Sequence, residues 1–412
     1  MDGLGRGERP VTMELLAPAG SPECLRTALY FGADAVYVGL ERFGLRAFAE
    51  NFTPEQLRDG VRLAHSQGRR VYVALNALLG PEDLPALRDV LADLAEIGPD
   101  AVIFADPAVL MTARSARLDM PLHLSTQAST MNEESCRFWM ENGVKRIILA
   151  RELSLEQIAV LRRGVPDGLQ LEVFVHGAMC VAYSGRCLLS TALTGRSGND
   201  GRCAQPCRWS YEISEVGGDG RRFPLTENQQ GTFVLNSKDL MMIDHLAELR
   251  LAGVDSLKIE GRNKSAYYVA SVVSAYRRAL DAMEQGVPAD LEALRSELLA
   301  SSSRQTGTGF FFGRKQQQDP KRTELPRQYT FVGRVVENPG SGYVTVEQRN
   351  KFVRGDRLEV LSPNLQGASF EVGEICTLDG GMRSEAPHPQ ELLRLACPLP
   401  LSAGDLLRRR DS

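Results

Sequence analysis

The sequence lacks any run of about 20 apolar residues, the length that a membrane-spanning helix needs, so no membrane span is predicted. Its beginning, MDGLGRGERPVTM, has no apolar core and is not typical of a secretory signal. We therefore predict a cytoplasmic protein in which residues 1–12 form a disordered extension. The formal net charge is only −4, so RNA binding would require a local basic patch and not the charge of the whole molecule.

Histidine is also scarce, with five residues in 412. The sequence contains neither the H-E-x-x-H helix of zinc peptidases nor the G-x-S-x-G turn of serine hydrolases. A Cys–His peptidase would have to use His123 or His176 with a cysteine. These absences argue against the common hydrolase mechanisms.

Short segments dominated by Val, Ile and Leu alternate with helical segments over the first 290 residues. Such apolar runs are typical of parallel strands covered by helices. Eight strand–helix units predict an α/β fold, a (β/α)8 TIM-like barrel over residues 13–300. A doubly wound open sheet is the alternative, but the Gly-rich loop that would favour it is absent after the first strand. The predicted strands cover 14–19, 35–40, 71–76, 101–106, 122–127, 146–151, 171–176 and 256–261.

Several helix starts are marked by capping residues. Ser21 and Thr53 each precede a proline, a combination typical of the first turn of a helix. Thr53 with Gln56, and Ser154 with Gln157, have the spacing of capping boxes. These signals place helices immediately after the predicted strands.

One long excursion, residues 177–235, interrupts the alternation after the seventh strand, and the helix that follows is expected at about 240–252. A loop of this length in a compact domain is usually functional, and this one leaves the carboxyl end of a barrel strand, where barrel active sites are built. Beyond the barrel, the polar segment 301–327 is predicted to be a basic linker. Short alternating strands in 328–412 predict a small antiparallel β-barrel domain.

Four of the eight cysteines lie in the excursion, with the spacing C-x6-C-x15-C-x3-C: Cys180, Cys187, Cys203 and Cys207. Disulfides are not expected in a reducing cytosol. Thiolates are ligands of iron–sulfur clusters and of zinc. Zinc sites prefer closer pairs, and only Cys203 and Cys207 form one, while the polar neighbours argue against simple burial. The remaining cysteines are expected to be buried: Cys24, Cys136, Cys376 and Cys397.

The segment EVFVHGAMCVAYSGRCLLS, residues 172–190, resembles the signature of the collagenase-like peptidases, a family of unknown catalytic type. The segments ELLAPAGS, HLSTQAS, RIILARELSLEQI, NSKDL and SLKIEGR are similar to one branch of that family. This branch is responsible for prephenate-dependent 5-hydroxylation of the tRNA wobble uridine. The similarity covers about residues 13–360.

The resemblance implies a tRNA-modifying enzyme that forms 5-hydroxyuridine without oxygen, with prephenate as hydroxyl donor or co-substrate. It also implies a 4Fe-4S cluster held by Cys180, Cys187, Cys203 and Cys207. Three alternatives remain open: hydroxylation of ribosomal RNA or of an aromatic ring by the same chemistry, a non-catalytic iron–sulfur RNA-binding factor, and a peptidase.

Polar residues at the carboxyl ends of barrel strands are the candidates for chemistry. Glu152, His176 and Glu260 are the predicted catalytic residues, although His176 could instead bond to the cysteine loop and Glu260 could form a structural ion pair. A dicarboxylate such as prephenate requires arginine forks or lysines. The predicted substrate-binding residues are Arg46, Asn76, Gln127, Arg151, Lys238, Arg262 and Lys264. Asp106, before Pro107, is expected to be a helix cap.

The segment 301–327 is the predicted RNA surface. Its six basic residues outnumber its two acidic ones, and they bind phosphates by releasing counterions. Phe310, Phe311 and Phe312 could stack on unpaired bases. The alternative is a solvated linker that these phenylalanines dock on the barrel. The predicted RNA-binding residues are Arg314, Lys315, Lys321 and Arg322.

Overall fold

The computed structural model describes residues 12–45, 50–180, 182–199, 201–209, 212–214, 222–224, 237–302, 304–313, 328–340 and 342–411. Parallel strands form a closed barrel, because the last of them, β11, pairs with both β1 and β7. The barrel strands are β1 (Glu14–Pro18), β2 (Ala35–Gly39), β3 (Arg70–Leu75), β4 (Ala101–Phe104), β5 (Leu122–Leu124), β6 (Arg146–Ile148), β7 (Gln170–Gly177) and β11 (Ser256–Ile259). Three further strands lie between β7 and β11 in the sequence and outside the barrel: β8 (Glu212–Ser214), β9 (Arg222–Pro224) and β10 (Asp239–Met241).

Helices cover the outside of the barrel, and the predicted capping signals are confirmed. The Ser21 hydroxyl accepts a hydrogen bond from the backbone N–H of Cys24, and both predicted capping boxes are formed. Within the described ranges, no helix is long and apolar enough to cross a membrane. The helices are α1 (Pro22–Tyr30), α2 (Pro54–Ser66), α3 (Leu84–Ile97), α4 (Pro107–Ser115), α5 (Glu133–Glu141), α6 (Leu155–Gly164), α7 (Leu189–Thr194), α8 (Leu246–Leu251), α9 (Ala266–Gln285) and α10 (Leu291–Ala300), with 3-10 turns at Pro81–Asp83, Thr126–Ala128, Pro206–Arg208 and Ile243–His245.

A buried ion-pair network, which the sequence did not predict, lies inside the barrel near the amino ends of the strands. Arg146 binds the carboxylates of both Glu14 and Glu172, the latter at 3.0 Å. Nζ of Lys258 lies 2.9 Å from Glu172, and the half-exposed Arg70 lies 2.7 Å from Glu14. Burial acts to raise the pKa of Glu14 and of Glu172, but the adjacent cations hold the pKa of both carboxyls below the usual value. Pairing is what makes so many buried charges tolerable.

The chain leaving the excursion first adds a strand. β10 runs antiparallel to the end of β7, with Leu240 opposite Gly177 and Met241 opposite His176. The expected helix at about 240–252 is therefore wrong in its bounds, because α8 begins only at Leu246. This hairpin-like return extends the barrel sheet beside the exit of the cysteine-rich segment.

Part of the predicted linker packs on the barrel. Strand β12 (Thr306–Gly307) pairs in parallel with β10, and the carbonyl of Phe311 accepts a hydrogen bond from the N–H of Leu155. Phe311 is buried, Phe310 is half-buried, and the ring of Phe312 lies 4.6 Å from that of His245. The prediction that Phe311 stacks on a base is wrong, because its ring belongs to the barrel core. Residues 314–327, with Arg314, Lys315, Lys321 and Arg322, lie outside the described residues, as do residues 1–11.

The carboxyl-terminal region is a separate, curled antiparallel sheet, so the predicted fold class is confirmed. Its strand order is β17-β16-β22-β13-β14-β21-β18-β19, and β15 and β20 form a separate pair. The strands are β13 (Tyr329–Glu337), β14 (Tyr343–Gln348), β15 (Phe352–Val353), β16 (Arg357–Leu361), β17 (Ser369–Glu371), β18 (Ile375–Thr377), β19 (Met382–Arg383), β20 (Glu385–Ala386), β21 (Leu392–Ala396) and β22 (Leu406–Arg410).

Polar and aromatic contacts join this β-domain to the barrel. The ring of Phe331 stacks on Tyr267 of α9 at a centroid distance of 5.6 Å. Arg408 lies 2.7 Å from Glu297 of α10 and also bonds to the Tyr267 hydroxyl at 3.2 Å. Leu406 packs into the apolar core of the barrel. The two domains therefore share a packed interface and are not joined by a loose tether.

Candidate functional site

A cavity of about 260 Å³ lies at the carboxyl ends of the barrel strands. Side chains from β2, β3, β4, β6, β7 and β11 form its inner wall, and residues 178–207 of the excursion form its outer wall. This is the end of the barrel at which active sites of the fold are built. The barrel thus provides a rigid floor, and the cysteine-rich excursion covers it.

All four predicted cluster cysteines line this cavity. Cys180 and Cys203 are exposed, whereas Cys187 and Cys207 are half-buried, so none of the four belongs to the apolar core. The Ser190 hydroxyl joins the segment between them: it donates to the carbonyl of Arg196 and accepts from the N–H of Ala204. One hydroxyl thereby fixes α7 against the approach to the last cysteine.

The thiol groups of these cysteines are suitable ligands for an iron–sulfur centre, but the distances between them are too large to hold one in this structure. Within the described ranges, no three His, Cys, Asp or Glu side chains are grouped closely enough to hold one metal ion. The thiols nevertheless surround a single opening, and thiolates are the preferred ligands of iron–sulfur clusters. Glycines with positive φ at 185, 195 and 201 separate them. A cluster bound here would require these loops to bring the thiols together.

The remaining cysteines follow the expectation of burial with one exception. Cys24, Cys136 and Cys397 are buried, whereas Cys376 is only half-buried and its Sγ lies 3.3 Å from the sulfur of Met382. The prediction of burial is therefore wrong for Cys376, because its strand β18 pairs with the short β19, close to the edge of the sheet. All four are remote in sequence from the excursion: Cys24, Cys136 and Cys376 lie in α1, α5 and β18, and Cys397 directly follows β21.

Arg262 reaches the cavity through a space that two glycines leave open. Its side chain is buried, although it lines the cavity. A Cβ atom at Gly39 would lie 1.6 Å from Nη1 of Arg262, and one at Gly20 would lie 1.7 Å from its carbonyl oxygen. Gly39 therefore leaves room for the guanidinium of Arg262, and Gly20 leaves room for its backbone.

Arg151 and Glu260 face each other across the same cavity. The guanidinium of Arg151 lies over the ring of Phe174, 4.0 Å from its centroid, and donates to the carbonyl of Ala178. Nη2 of Arg151 lies 3.9 Å from Oε2 of Glu260, which is buried. Glu260 thus has a cationic neighbour in the lining of the cavity.

Asn76 and Gln127 also line the cavity, as predicted. Oδ1 of Asn76 is buried and has no hydrogen-bond partner among the described residues. Leaving such an oxygen unpaired costs about 1–3 kcal/mol, so a ligand donor in the cavity would satisfy it. Oε1 of Gln127 accepts from Ser125 at 3.5 Å, and Gly185 of the excursion packs beside its backbone.

Four predicted site residues are not among the described residues that line the cavity: Glu152, His176, Lys238 and Lys264. His176 lies between β7 and α9, with its ring 5.6 Å from Tyr276 and 6.1 Å from Tyr268. Burial lowers the pKa of His176 to about 3, so the ring is neutral.

The other residues outside the cavity have ordinary surroundings. Burial raises the pKa of Glu152, which is half-buried in a turn after β6. Nζ of Lys264 lies 5.4 Å from the ring of Tyr268, and the stem of Lys238 passes beside Gly307. Arg46 lies outside the described residues. Asp106 is the predicted helix cap, because its carboxylate accepts from the N–H of Ala108.

Lys258 is a cavity residue that the sequence analysis missed. It lies in the middle of an apolar strand, where a lysine is almost never buried unless it is paired. The signal that could have found it is the presence of a second charge, Glu172, in the equally apolar strand β7. Among the described lining residues, Arg151, Lys258 and Arg262 are basic and Glu260 is acidic, so the cavity favours an anion.

The chain is similar to proteins named for RNA hydroxylation. The tRNA hydroxylation protein P1 of Bacillus subtilis (strain 168) is 36% identical over 411 residues, which cover 98% of this chain and 96% of that protein. The tRNA hydroxylation protein P of Escherichia coli (strain K12) is 37% identical, with coverage of 92% and 94%. A 23S rRNA 5-hydroxycytidine synthase of the same strain is 36% identical, with coverage of 85% of this chain and 52% of that protein.

Family models match both parts of the chain. The model of peptidase family U32 matches residues 20–321, and the model of the peptidase family U32 C-terminal domain matches residues 327–408. The first match alone covers more than half of the chain and includes the barrel from α1 onward and the cysteine-rich excursion. The resemblance seen in the sequence is thereby confirmed, and the chain belongs to peptidase family U32.

Proposed function

We propose that this protein is an RNA hydroxylase that forms 5-hydroxyuridine at the wobble position of tRNA, using prephenate and a 4Fe-4S cluster and no molecular oxygen. The observation that carries the proposal is the cavity itself, in which an inner wall with three basic residues and one acidic residue faces four cysteines. Two relatives that align over nearly the whole chain are named for tRNA hydroxylation.

The inner wall supplies groups that suit prephenate, which carries two carboxylates, a ketone and a hydroxyl. Arg262 and Arg151 can bind carboxylates, and the unpaired Oδ1 of Asn76 can accept from a ligand hydroxyl. Glu260, held opposite Arg151, is placed to take a proton from a bound hydroxyl or water. These residues would orient the co-substrate toward the cysteine-lined side.

The outer wall would supply the cluster ligands. Cys180, Cys187, Cys203 and Cys207 would hold the cluster, which when bound supplies one-electron redox chemistry. Gln205 donates its backbone N–H to Sγ of Cys203 at 3.3 Å, and such hydrogen bonds tune thiolate ligands. Ser190 keeps the loop between the two pairs of cysteines in place.

Exposed aromatic side chains accompany this wall and suit an unpaired base. Tyr183 lines the cavity and is 41% exposed, and Trp209, two residues after the last cysteine, is 47% exposed. Aromatic faces stack on bases that have left a helix, which is how single-stranded RNA is usually recognised. These residues take the place of the buried Phe311 as candidates for stacking.

Nucleoside analysis tests the proposal directly. The tRNA of cells that carry the gene should contain 5-hydroxyuridine or its derivatives, and the tRNA of a deletion strain should lack them. Complementation with the wild-type gene should restore the nucleoside, whereas the Cys203→Ala, Cys207→Ala double variant should not. Unchanged tRNA nucleosides in the deletion strain would refute the proposal.

A ribosomal RNA substrate is the second candidate, because one relative is named for 5-hydroxycytidine in 23S rRNA. Parallel analysis of ribosomal RNA from the same strains separates the two candidates. A peptidase is less well supported by the geometry: His123 and His176 are both buried, and neither is among the described residues that line the cavity with the cysteines. Cleavage of a peptide library by the purified protein would reverse that view.

A further inference from the structure

The floor of the cavity contains a buried lysine that the proposed function does not yet use. Lys258 is 4% exposed and still lines the cavity. Its Nζ lies 4.3 Å from the ring centroid of Tyr37 and 5.7 Å from that of Phe174. The ammonium is therefore enclosed on its sides by two aromatic rings, which favour a cation.

The charge of this lysine is only partly balanced. An ammonium group has three N–H donors, and Glu172 accepts from Lys258 at 2.9 Å, while the carboxylate of Glu260 on the cavity wall also attracts the ammonium. Glu172 is also bound by Arg146 at 3.0 Å, so its single negative charge is shared between two cations. The cavity side of the ammonium thus retains attraction for an anion.

The surrounding cations are arranged to hold a ligand with two anionic ends. Arg262 and Arg151 line the wall of the same cavity, above the floor that Lys258 forms near the barrel interior. We propose that Lys258, fixed by Glu172, binds one carboxylate of a small dicarboxylate, while the two arginines bind the other. The inference rests on the proposed function in taking the co-substrate to be a dicarboxylate.

The role is that of an anchor and not of an amine nucleophile. Glu172 lies within hydrogen-bond distance and favours the protonated lysine, which has no free electron pair to attack a ketone. Burial lowers the pKa of Lys258, and Glu172 counteracts that effect. A carboxylate that arrives beside the ammonium would stabilise the charged form further.

The test compares a dicarboxylate with a matching monocarboxylate by titration calorimetry. Prephenate and phenylpyruvate serve as the two probes, since they share the 2-oxo acid, and only prephenate carries the second carboxylate, together with a ring hydroxyl on a ring that is not aromatic. The variant is Lys258→Met with Glu172→Gln, which removes one charge of each sign and leaves Arg146 paired with Glu14. The control is Lys145→Met, because Lys145 is exposed at the outside of the barrel.

Wild type and the control should bind prephenate at least tenfold more tightly than phenylpyruvate, and the double variant should lose most of this preference, because only the contact of Asn76 with the ring hydroxyl remains. Equal weakening of both probes in a folded double variant would overturn the anchor and leave Lys258 a structural residue. A covalent adduct of wild type with either probe after borohydride reduction would overturn it in favour of a nucleophile. Failure of wild type to bind either probe would refute the proposed co-substrate and the anchor with it. An undiminished preference of the double variant for prephenate over phenylpyruvate would refute the anchor alone.

Discussion

Gly39 and Arg262 share one space in the wall of the cavity, since a Cβ at position 39 would lie 1.6 Å from Nη1 of the guanidinium. The atom in the way is the far end of a flexible side chain, so Gly39→Ala should fold with Arg262 displaced. We expect prephenate affinity to fall about tenfold or more, the equivalent of one lost charged hydrogen bond. Calorimetric titration gives the affinity, and circular dichroism checks the fold.

The control for this variant is Gly168→Ala. Gly168 is exposed and nothing lies within 4 Å of the Cβ position, so affinity should not change. If Gly39→Ala binds prephenate as tightly as wild type, the position of Arg262 has no part in recognition.

A second prediction concerns the metal content. Protein purified without oxygen should be brown and contain about four irons and four sulfides per chain, the content of one 4Fe-4S cluster. The Cys203→Ala, Cys207→Ala double variant should lose both iron and colour. Iron and acid-labile sulfide assays, with the visible spectrum, provide the measurement. One zinc per chain, with no iron, would contradict the cluster.

The buried cysteines are the internal controls for that experiment. Cys24→Ser and Cys136→Ser should keep their full iron content, because both residues lie on helices outside the cavity. Each substitution should lower the free energy of unfolding by about 1–3 kcal/mol, since a hydroxyl replaces a buried thiol. Loss of iron from a folded Cys136→Ser protein would show that the ligand set is wrong.

The sequence was sufficient to predict the elements that depend on local patterns. The apolar runs located the strands, and Ser21, Thr53 and Ser154 marked the helix starts, because caps and periodicity are local properties. It was insufficient where distant parts of the chain meet. The pairing of Lys258 with Glu172 joins residues 86 positions apart, and burial of Phe311 depends on its docking against α6. The same holds for His176, whose place between β7 and α9 depends on the following helix packing over the strand end.

A third prediction follows from the buried imidazole of His176. Its pKa in the folded protein is about 3, below the value of about 6.5 in an unfolded chain. The unfolded state therefore binds the proton first, and the stabilising effect of the neutral ring, complete above pH 6.5, is lost as pH falls toward 3. His123, whose pKa burial also lowers, acts in the same direction.

Urea unfolding between pH 7 and pH 5 measures this effect. Each such histidine can contribute up to about 1.4 kcal/mol per pH unit, so His176→Gln should reduce the slope by that share. The window stays above the range in which Glu14 and Glu172 would contribute, since their lowered pKa values make their effect appear only below about pH 4.5. A slope unchanged by the substitution would mean that His176 is accessible to protons in the folded state.

A fourth prediction tests the interface between the barrel and the β-domain. Arg408 and Glu297 are 10% and 14% exposed, and they lie 2.7 Å apart. Arg408→Met should cost about 3 kcal/mol in free energy of unfolding, because it leaves the half-buried carboxylate of Glu297, and also that of Glu359, without the cation that both share. The neighbouring Arg409→Met should cost less than about 1 kcal/mol, since Arg409 pairs with Asp356 in a more exposed position. Equal losses in free energy of unfolding for the two variants would mean that Arg408 stabilises the protein no more than a surface ion pair does.

The last prediction concerns the RNA surface. Residues 314–327 contain Arg314, Lys315, Lys321, Arg322 and Arg327 against Asp319 and Glu324, in a chain of net charge −4. The segment continues from Phe312, which lies on the barrel against His245, and it leads into β13 of the β-domain. Basic side chains in such numbers are suited to bind tRNA phosphates, with release of counterions.

Reversing Arg314, Lys315, Lys321 and Arg322 to Glu should therefore weaken tRNA binding and flatten its dependence on salt, by about one unit of the logarithmic slope for each phosphate that the segment no longer neutralises. Iron content should stay that of wild type, because none of the four substituted residues is a predicted ligand of the cluster. Binding titrations at two salt concentrations provide the measurement. A reversal of Arg354, Arg357, Arg383 and Arg394 to Glu in the β-domain makes the same change in net charge and is the control for it, and it should weaken binding less. Equal affinities of wild type and the first variant for tRNA at both salt concentrations would mean that the segment is a linker. The RNA-binding surface would then have to be sought at the exposed Tyr183 and Trp209, beside the outer wall of the cavity.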